Sequence, residues 1–167
     1  MFGVDDVGCR VELGPGRGGA APTRTVTQIP IEATEAAFRT LLTDNPSGVE
    51  ASTYCVAVVR INLERDRQDY SDPPLAVVQS LALMHPSLQP YSKCRLHQAR
   101  GISRLLDRVT GEQAMVLAVR EPSRSVGDTI VFWGSYHCGA LCGGAGPLRV
   151  WRQDGTWHTR FTVEWVS

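Results

Sequence analysis

The chain has 167 residues, with 17 basic and 17 acidic residues that cancel to a formal net charge of zero. A neutral protein has no global field to attract nucleic acid or anionic lipid, so the balance predicts no nucleic-acid partner. No apolar stretch is long enough to cross a bilayer as a helix, and we expect no membrane span. Asp5 and Asp6 lie where a secretion signal needs an apolar run, so the sequence as written has no signal peptide. Localisation stays open, with export the expectation if the N-terminus is truncated.

The N-terminal part of the chain divides into an arm and the start of a domain. Residues 1–30 are rich in Gly, Pro, Thr and Arg and lack periodicity, which indicates a flexible arm followed by a single domain over 31–167. Glu32 to Asp44 has apolar residues at helical spacing and predicts an amphipathic helix. Thr53 to Ile61 is dense in β-branched residues and predicts a strand buried on both faces.

A second helix is predicted after a polar segment. Arg60 to Asp72 is charged and predicts an exposed loop. Leu75 to Met84 predicts a helix with Ser71 or Asp72 near its N-cap, and His85-Pro86 ends it. Its expected buried stripe consists of Leu75, Val78, Leu81 and Ala82.

The C-terminal half predicts a meander of antiparallel strands. The expected strands are 102–109, 114–120, 128–136, 148–152 and 156–166. Asp154-Gly155 between the last two is a strong hairpin signal. In the last strand, alternation places Trp157 and Trp165 on one face and His158 and Arg160 on the other. Helices before a run of strands predict an α+β fold, with helices packed on a curved, mostly antiparallel sheet.

A glycine-rich segment from Tyr136 to Pro147 predicts a tight loop between two strands, carrying Cys138 and Cys142. Its pattern, Tyr-x-Cys-Gly-x-Leu-Cys-Gly-x-x-Gly, precedes Asp-Gly, Trp157 and a terminal Trp-Val-Ser, and Asp-Pro-Pro and Ser-Lys-Cys lie upstream. These motifs resemble a group of small uncharacterised bacterial proteins over roughly residues 53–167. The resemblance implies a cystatin-like or NTF2-like α+β domain, often exported, and implies no activity.

The five cysteines allow several interpretations. Cys138 with Cys142, and Cys55 with Cys94, are candidate structural disulfides; reduced, buried thiols are the alternative. Cys94, His97, Cys138 and Cys142 together would supply four ligands to a structural zinc, and no other cofactor is expected. Thiol chemistry at Cys138 would need a base such as His97 or His158, and the thioredoxin-like C-x-x-C spacing is missing.

A pocket is the remaining candidate site. If the sheet wraps around a helix, it encloses an apolar cavity with a few polar groups. The aromatic residues expected to line it are Trp133, Tyr136, Trp151, Trp157 and Trp165. The polar residues to inspect there are His158, Asp128, Arg160 and Glu164, for which a solvated strand face is favoured over a catalytic role.

No complete catalytic or nucleotide-binding motif can be assembled, since the glycine segment leads into a strand rather than a helix. The sequence therefore favours a non-catalytic binding or accessory module for a protein or a small ligand. The alternatives are a small-molecule lyase, isomerase or hydrolase using the pocket, and a thiol-redox or zinc protein.

Overall fold

The computed structural model describes residues 29–44, 48–99, 102–126, 128–139 and 142–166. These residues form an eight-stranded sheet, a separate two-stranded sheet and two α-helices. The coarse prediction of a mixed α and β fold with a mostly antiparallel sheet is confirmed. The predicted arm falls on residues 1–28, outside the described residues, apart from Ile29 and Pro30.

The helices and strands follow in the chain order that the sequence predicts, with additions. The helices are α1 (Ile31–Asp44) and α2 (Leu75–Met84), and a 3₁₀ turn covers Tyr91–Lys93. The strands are β1 (Thr53–Asn62), β2 (Arg67–Ser71), β3 (Leu88–Pro90), β4 (Cys94–Ala99), β5 (Ile102–Asp107), β6 (Ala114–Val126), β7 (Thr129–Gly139), β8 (Cys142–Gln153), β9 (Thr156–Phe161) and β10 (Trp165–Val166).

The large sheet combines two parallel pairings, both made by β1, with an antiparallel meander. Strand β1 pairs with β6 in parallel, and β6, β7, β8 and β9 then pair antiparallel in succession. Strands β9 and β10 pair with different parts of the same edge of β8. At the far side, β1 pairs antiparallel with β2 and parallel with β3.

The sheet buries a different core on each of its two faces because successive side chains point to opposite sides. We call one the helix face. There Phe38 and Leu41 of α1 and Leu81 of α2 share a buried cluster with strand residues such as Leu117 and Leu148. The hydroxyls of Thr40 and Thr159 are 2.5 Å apart and join α1 to β9.

The opposite face has a smaller core. Cys55, Ala57, Val116 and Ala118 of β1 and β6 pack against Cys94 and Leu105, which belong to the hairpin formed by β4 and β5. Small residues at these positions let the hairpin approach the sheet closely. The hairpin thus covers the opposite face where β1 and β6 lie.

Three predictions in the first half of the domain are wrong in detail. The expected loop 60–72 contains the edge strand β2, because an edge strand needs no apolar alternation. Pro74 is the N-cap residue of α2, and the Asp72 carboxylate instead accepts a hydrogen bond of 2.7 Å from the Ser92 amide. Leu75 is 71% exposed, and the buried residues of α2 are Val77, Val78 and Leu81.

Two further predictions are wrong in the second half. The strand expected over 102–109 ends at Asp107 and pairs with β4 rather than with β6. The last strand is interrupted after Phe161, and the chain resumes pairing only in β10. The Asp154-Gly155 hairpin forms as expected, with both residues at positive φ, 50° and 78°.

Candidate functional site

The part of the opposite face that lies beyond the β4–β5 hairpin carries a concentrated set of aromatic and cationic side chains. We call it the open face and define it by the residues that strand register places there: Arg120, Trp133, Arg149, Trp151, His158, Arg160 and Trp165. They come from five strands and lie in cross-strand rows. Arg149 pairs with Arg160, Trp151 pairs with His158, and Arg120 pairs with Trp133.

The open face is elongated in the direction of the strands. Ala145, which pairs with Trp165, and Trp151 are six residues apart on β8. At about 3.4 Å per residue, this separation is roughly 20 Å. A ligand that contacts both ends of the open face is therefore elongated.

The arginines of the open face have no anionic partner within the described part of the chain. The ion pairs found there join Arg39 to Glu35, Arg60 to Glu121, and Arg67 to Asp69, all elsewhere on the molecule. Strands β7, β8 and β9 contain no Asp or Glu. Arg149 and Arg160 are exposed side by side, so like charges adjoin without a compensating carboxylate.

The aromatic residues of the open face differ in how much ring surface they present. The Arg120 guanidinium lies 5.2 Å from the Trp133 ring centroid, and the His158 ring stacks on Trp151 at 5.7 Å. Trp165 is 55% exposed, and no ring contact or cation involving it occurs among the described residues. Trp165 is therefore the exposed tryptophan of the open face, whereas Trp133 and Trp151 are half-buried.

The structure separates the residues that the sequence assigned to one pocket. Tyr136 and Trp157 lie on the helix face, where both contact the large core, whereas Trp133, Trp151 and Trp165 lie on the open face. Trp165 leaves the face of Trp157 because residues 162–164 interrupt the strand and reset its alternation. A single cavity lined by all five is not formed. Of the polar candidates, His158 and Arg160 are on the open face, Asp128 precedes β7, and Glu164 lies between β9 and β10.

The predicted glycine loop is a β-hairpin. Residues 136–139 continue β7 and residues 142–147 begin β8, with Gly139 pairing with Cys142, so only the intervening positions 140 and 141 lie outside the described residues. The glycines accommodate close neighbours within the strands. At Gly144 a Cβ would lie 2.6 Å from the Tyr136 hydroxyl oxygen, because that ring lies across the glycine.

The four cysteines that the structure describes form two disulfides. Cys55 joins Cys94 with a Cα–Cα distance of 6.5 Å and ties the β4–β5 hairpin to β1. Cys138 joins Cys142 with a Cα–Cα distance of 5.1 Å and closes the β7–β8 hairpin. The first lies in the core of the opposite face, and Cys138 lies in the core of the helix face.

No known protein family, curated protein or solved structure matches the chain.

The four residues proposed as zinc ligands are not brought together. Cys94 and Cys138 lie on opposite faces of the sheet, each with its sulfur bonded to another cysteine, while His97 is exposed on β4. Among the residues that the structure describes, no group of three or more His, Cys, Asp or Glu side chains could hold a metal ion. Neither described α-helix is long and apolar enough to cross a membrane.

Asp107 is a buried carboxylate that the sequence did not single out. Its oxygens accept hydrogen bonds from the amides of Val109 and Thr110 at 2.6 and 3.1 Å, and from Gln89 at 3.0 Å. The two amide bonds, the largest cause, hold the pKa of Asp107 below its usual value of 3.8. The two amide contacts lie in the turn that follows β5, and Thr53 of β1 and Gln89 of β3 add side-chain contacts, which indicates that Asp107 stabilises the β5–β6 connection. A polar residue followed by a Thr-Gly turn was the available signal.

Proposed function

We propose that this domain is a non-catalytic binding module whose open face binds an anionic ligand. The observation that carries the proposal is the arginine surplus of the open face: Arg120, Arg149 and Arg160 project from strands where no carboxylate neutralises them. A cluster of unpaired guanidinium groups is the arrangement that recognises carboxylate or phosphate. The neutral total charge masks this local surplus, since strands β7, β8 and β9 contain no acidic residue.

The disulfides indicate the type of cellular compartment in which this function would operate. Disulfides persist in oxidising compartments and are rare in the reducing cytosol. Cys55–Cys94 also holds the β4–β5 hairpin beside the open face, so oxidation fixes the border of the binding surface. We therefore place the module outside the cytosol, where its ligand would also be found.

Binding to an immobilised polyanion tests the proposal. Arg149→Gln with Arg160→Gln removes two charges from exposed positions, and such substitutions change folding stability by less than about 0.5 kcal/mol. If each guanidinium contributes about 1.4 kcal/mol of charge-assisted contact, each loss weakens binding about tenfold. The salt concentration that elutes the double variant should fall accordingly.

The matched control is Arg65→Gln, which removes an exposed arginine from the β1–β2 turn, away from the open face. It should elute close to the unsubstituted protein apart from the change in net charge. Equal elution of all three proteins, with identical thermal unfolding, would show that the open face is not the anion-binding surface.

A further inference from the structure

Features of the open face also indicate which kind of anion it binds. Resting on the proposed function, we infer that its ligand is an acidic polysaccharide, a chain of sugars that bear carboxylate groups. Such a polymer presents carboxylates to arginines, hydroxyls to hydrogen-bond donors, and ring faces to an exposed tryptophan.

The length of the open face selects an oligomer. Trp151 and Trp165 mark ends that are roughly 20 Å apart along the strands. Arg149 and Arg160 lie between them, and so does the Arg120–Trp133 pair. A single small anion could neutralise one pair of arginines, but it would be too short to contact Trp165 as well. A polymer with a charge on successive units contacts every row.

The polar atoms of the open face are mainly donors. Guanidinium groups and indole N–H groups donate hydrogen bonds and do not accept them. The complementary ligand is therefore rich in acceptors, and carboxylates and sugar hydroxyls supply them. Trp165, at the end of the row that contains Ser135 and Ala145, adds an apolar ring surface beside small side chains.

The same rings argue against the two other classes of polyanion. Single-stranded nucleic acid binds by stacking successive bases on free aromatic faces. On the open face, Arg120 lies against Trp133 and His158 against Trp151, so within the described part of the chain Trp165 is the tryptophan there with no ring or cation against it. A simple acidic polypeptide such as polyglutamate would satisfy the arginines but carries no ring to stack on Trp165.

The experiment compares three polyanions and one neutral polymer on the full chain with intact disulfides. The ligands are polygalacturonate, polyglutamate, a thymidine oligonucleotide and dextran, and binding is measured by calorimetry at fixed ionic strength. We expect polygalacturonate to bind at least tenfold more tightly per charged unit than the other two anions, and dextran not to bind.

Trp165→Ala distinguishes sugar recognition from charge alone. Trp165 lies in the two-residue strand β10, so the core should be preserved. The variant should weaken polygalacturonate binding about tenfold and leave polyglutamate binding unchanged, while Trp165→Phe retains most of the affinity. Leu63→Ala, at an 87% exposed site in the β1–β2 turn, is the control and should change neither.

The remaining outcomes separate the two proposals. Equal affinity for all three anions, or tighter binding of the oligonucleotide or of polyglutamate, would overturn the polysaccharide inference while the anion-binding function stands. Failure to bind any of them would overturn both.

Discussion

Gly146 sets the position of Trp165, and a single methyl group there tests how the C-terminal segment is held. The Thr162 amide donates to the Pro147 carbonyl at 3.1 Å, and the Glu164 amide donates to the Ala145 carbonyl at 3.0 Å. Between these bonds the chain passes directly over Gly146. A Cβ at that position would overlap the Thr162 carbonyl oxygen and lie 3.0 Å from the Glu164 nitrogen. Both neighbours are backbone atoms, which cannot move aside as a flexible side chain could.

The expected loss of unfolding free energy follows from the backbone hydrogen bonds that the substitution must break. Gly146→Ala forces residues 162–164 away from β8 and removes two backbone hydrogen bonds, each contributing about 0.5–1.5 kcal/mol. Residual crowding adds about 1–3 kcal/mol. We expect a loss of about 2–6 kcal/mol in unfolding free energy or, if the segment detaches locally, loss of β10 pairing at a smaller global cost.

Two measurements check this prediction. Urea unfolding measures the loss in global unfolding free energy, and hydrogen exchange over residues 162–166 measures the local loss of β10 pairing. Gly155→Ala is the control because its φ is 78° and no heavy atom lies within 4 Å of the added methyl. That variant should cost about 1–2 kcal/mol of backbone strain without altering exchange at residues 162–166. An unfolding free energy within about 0.5 kcal/mol of the parent, together with unchanged exchange there, would refute the reasoning.

Three further predictions concern the disulfides, the buried carboxylate and the Tyr136 contact. Replacing Cys55 and Cys94 by Ala should lower the free energy of unfolding by about 4 kcal/mol, and replacing Cys138 and Cys142 should lower it by about 2 kcal/mol, because the linked residues are 39 and 4 positions apart. Urea unfolding measures both losses, and the reverse order would contradict the prediction. Asp107→Asn should destabilise the domain at pH 7, and the difference from the parent in urea midpoint should shrink below about pH 4. The reason is that the lowered pKa of Asp107 gives stability that is present above its unfolded value of 3.8 and is lost as the pH falls through the folded value; a difference independent of pH would exclude a charge effect. Gly144→Ala should displace the Tyr136 ring and lower the melting temperature by several degrees through overpacking, about 1–3 kcal/mol, and an unchanged melting temperature would show that the ring moves freely.

The sequence predicted the elements whose signals are local. The helix over 32–44, the strand from Thr53 and the Asp154-Gly155 hairpin all depend on spacing or turn chemistry within a few residues. Strand β2 was missed because its residues are polar and exposed, as an edge permits. Strand β4 was missed because its burial is set by the disulfide and the β1–β6 junction, which are distant in sequence.

The site could not be predicted because it depends on which face of the sheet is covered. Alternation correctly separated His158 and Arg160 from Trp157, but it did not show which set would face α1. Glycine count suggested a loop at 136–147, whereas the glycines serve close packing of strands and ring. The shift of Trp165 to the open face results from the crossing at Gly146, a contact that no local pattern encodes.

Among the described residues, the absence of acidic residues from β7, β8 and β9 leaves positive charge on the open face, across the sheet from the acidic helix α1. Glu32, Glu35 and Asp44 lie on α1 with a single arginine, while Arg149 and Arg160 lie side by side on the open face. A polyanion approaching from any side would exert a torque that rotates the open face toward it before contact. The isoelectric point near 6.9 conceals this orientation, and the salt dependence of the association rate would reveal it.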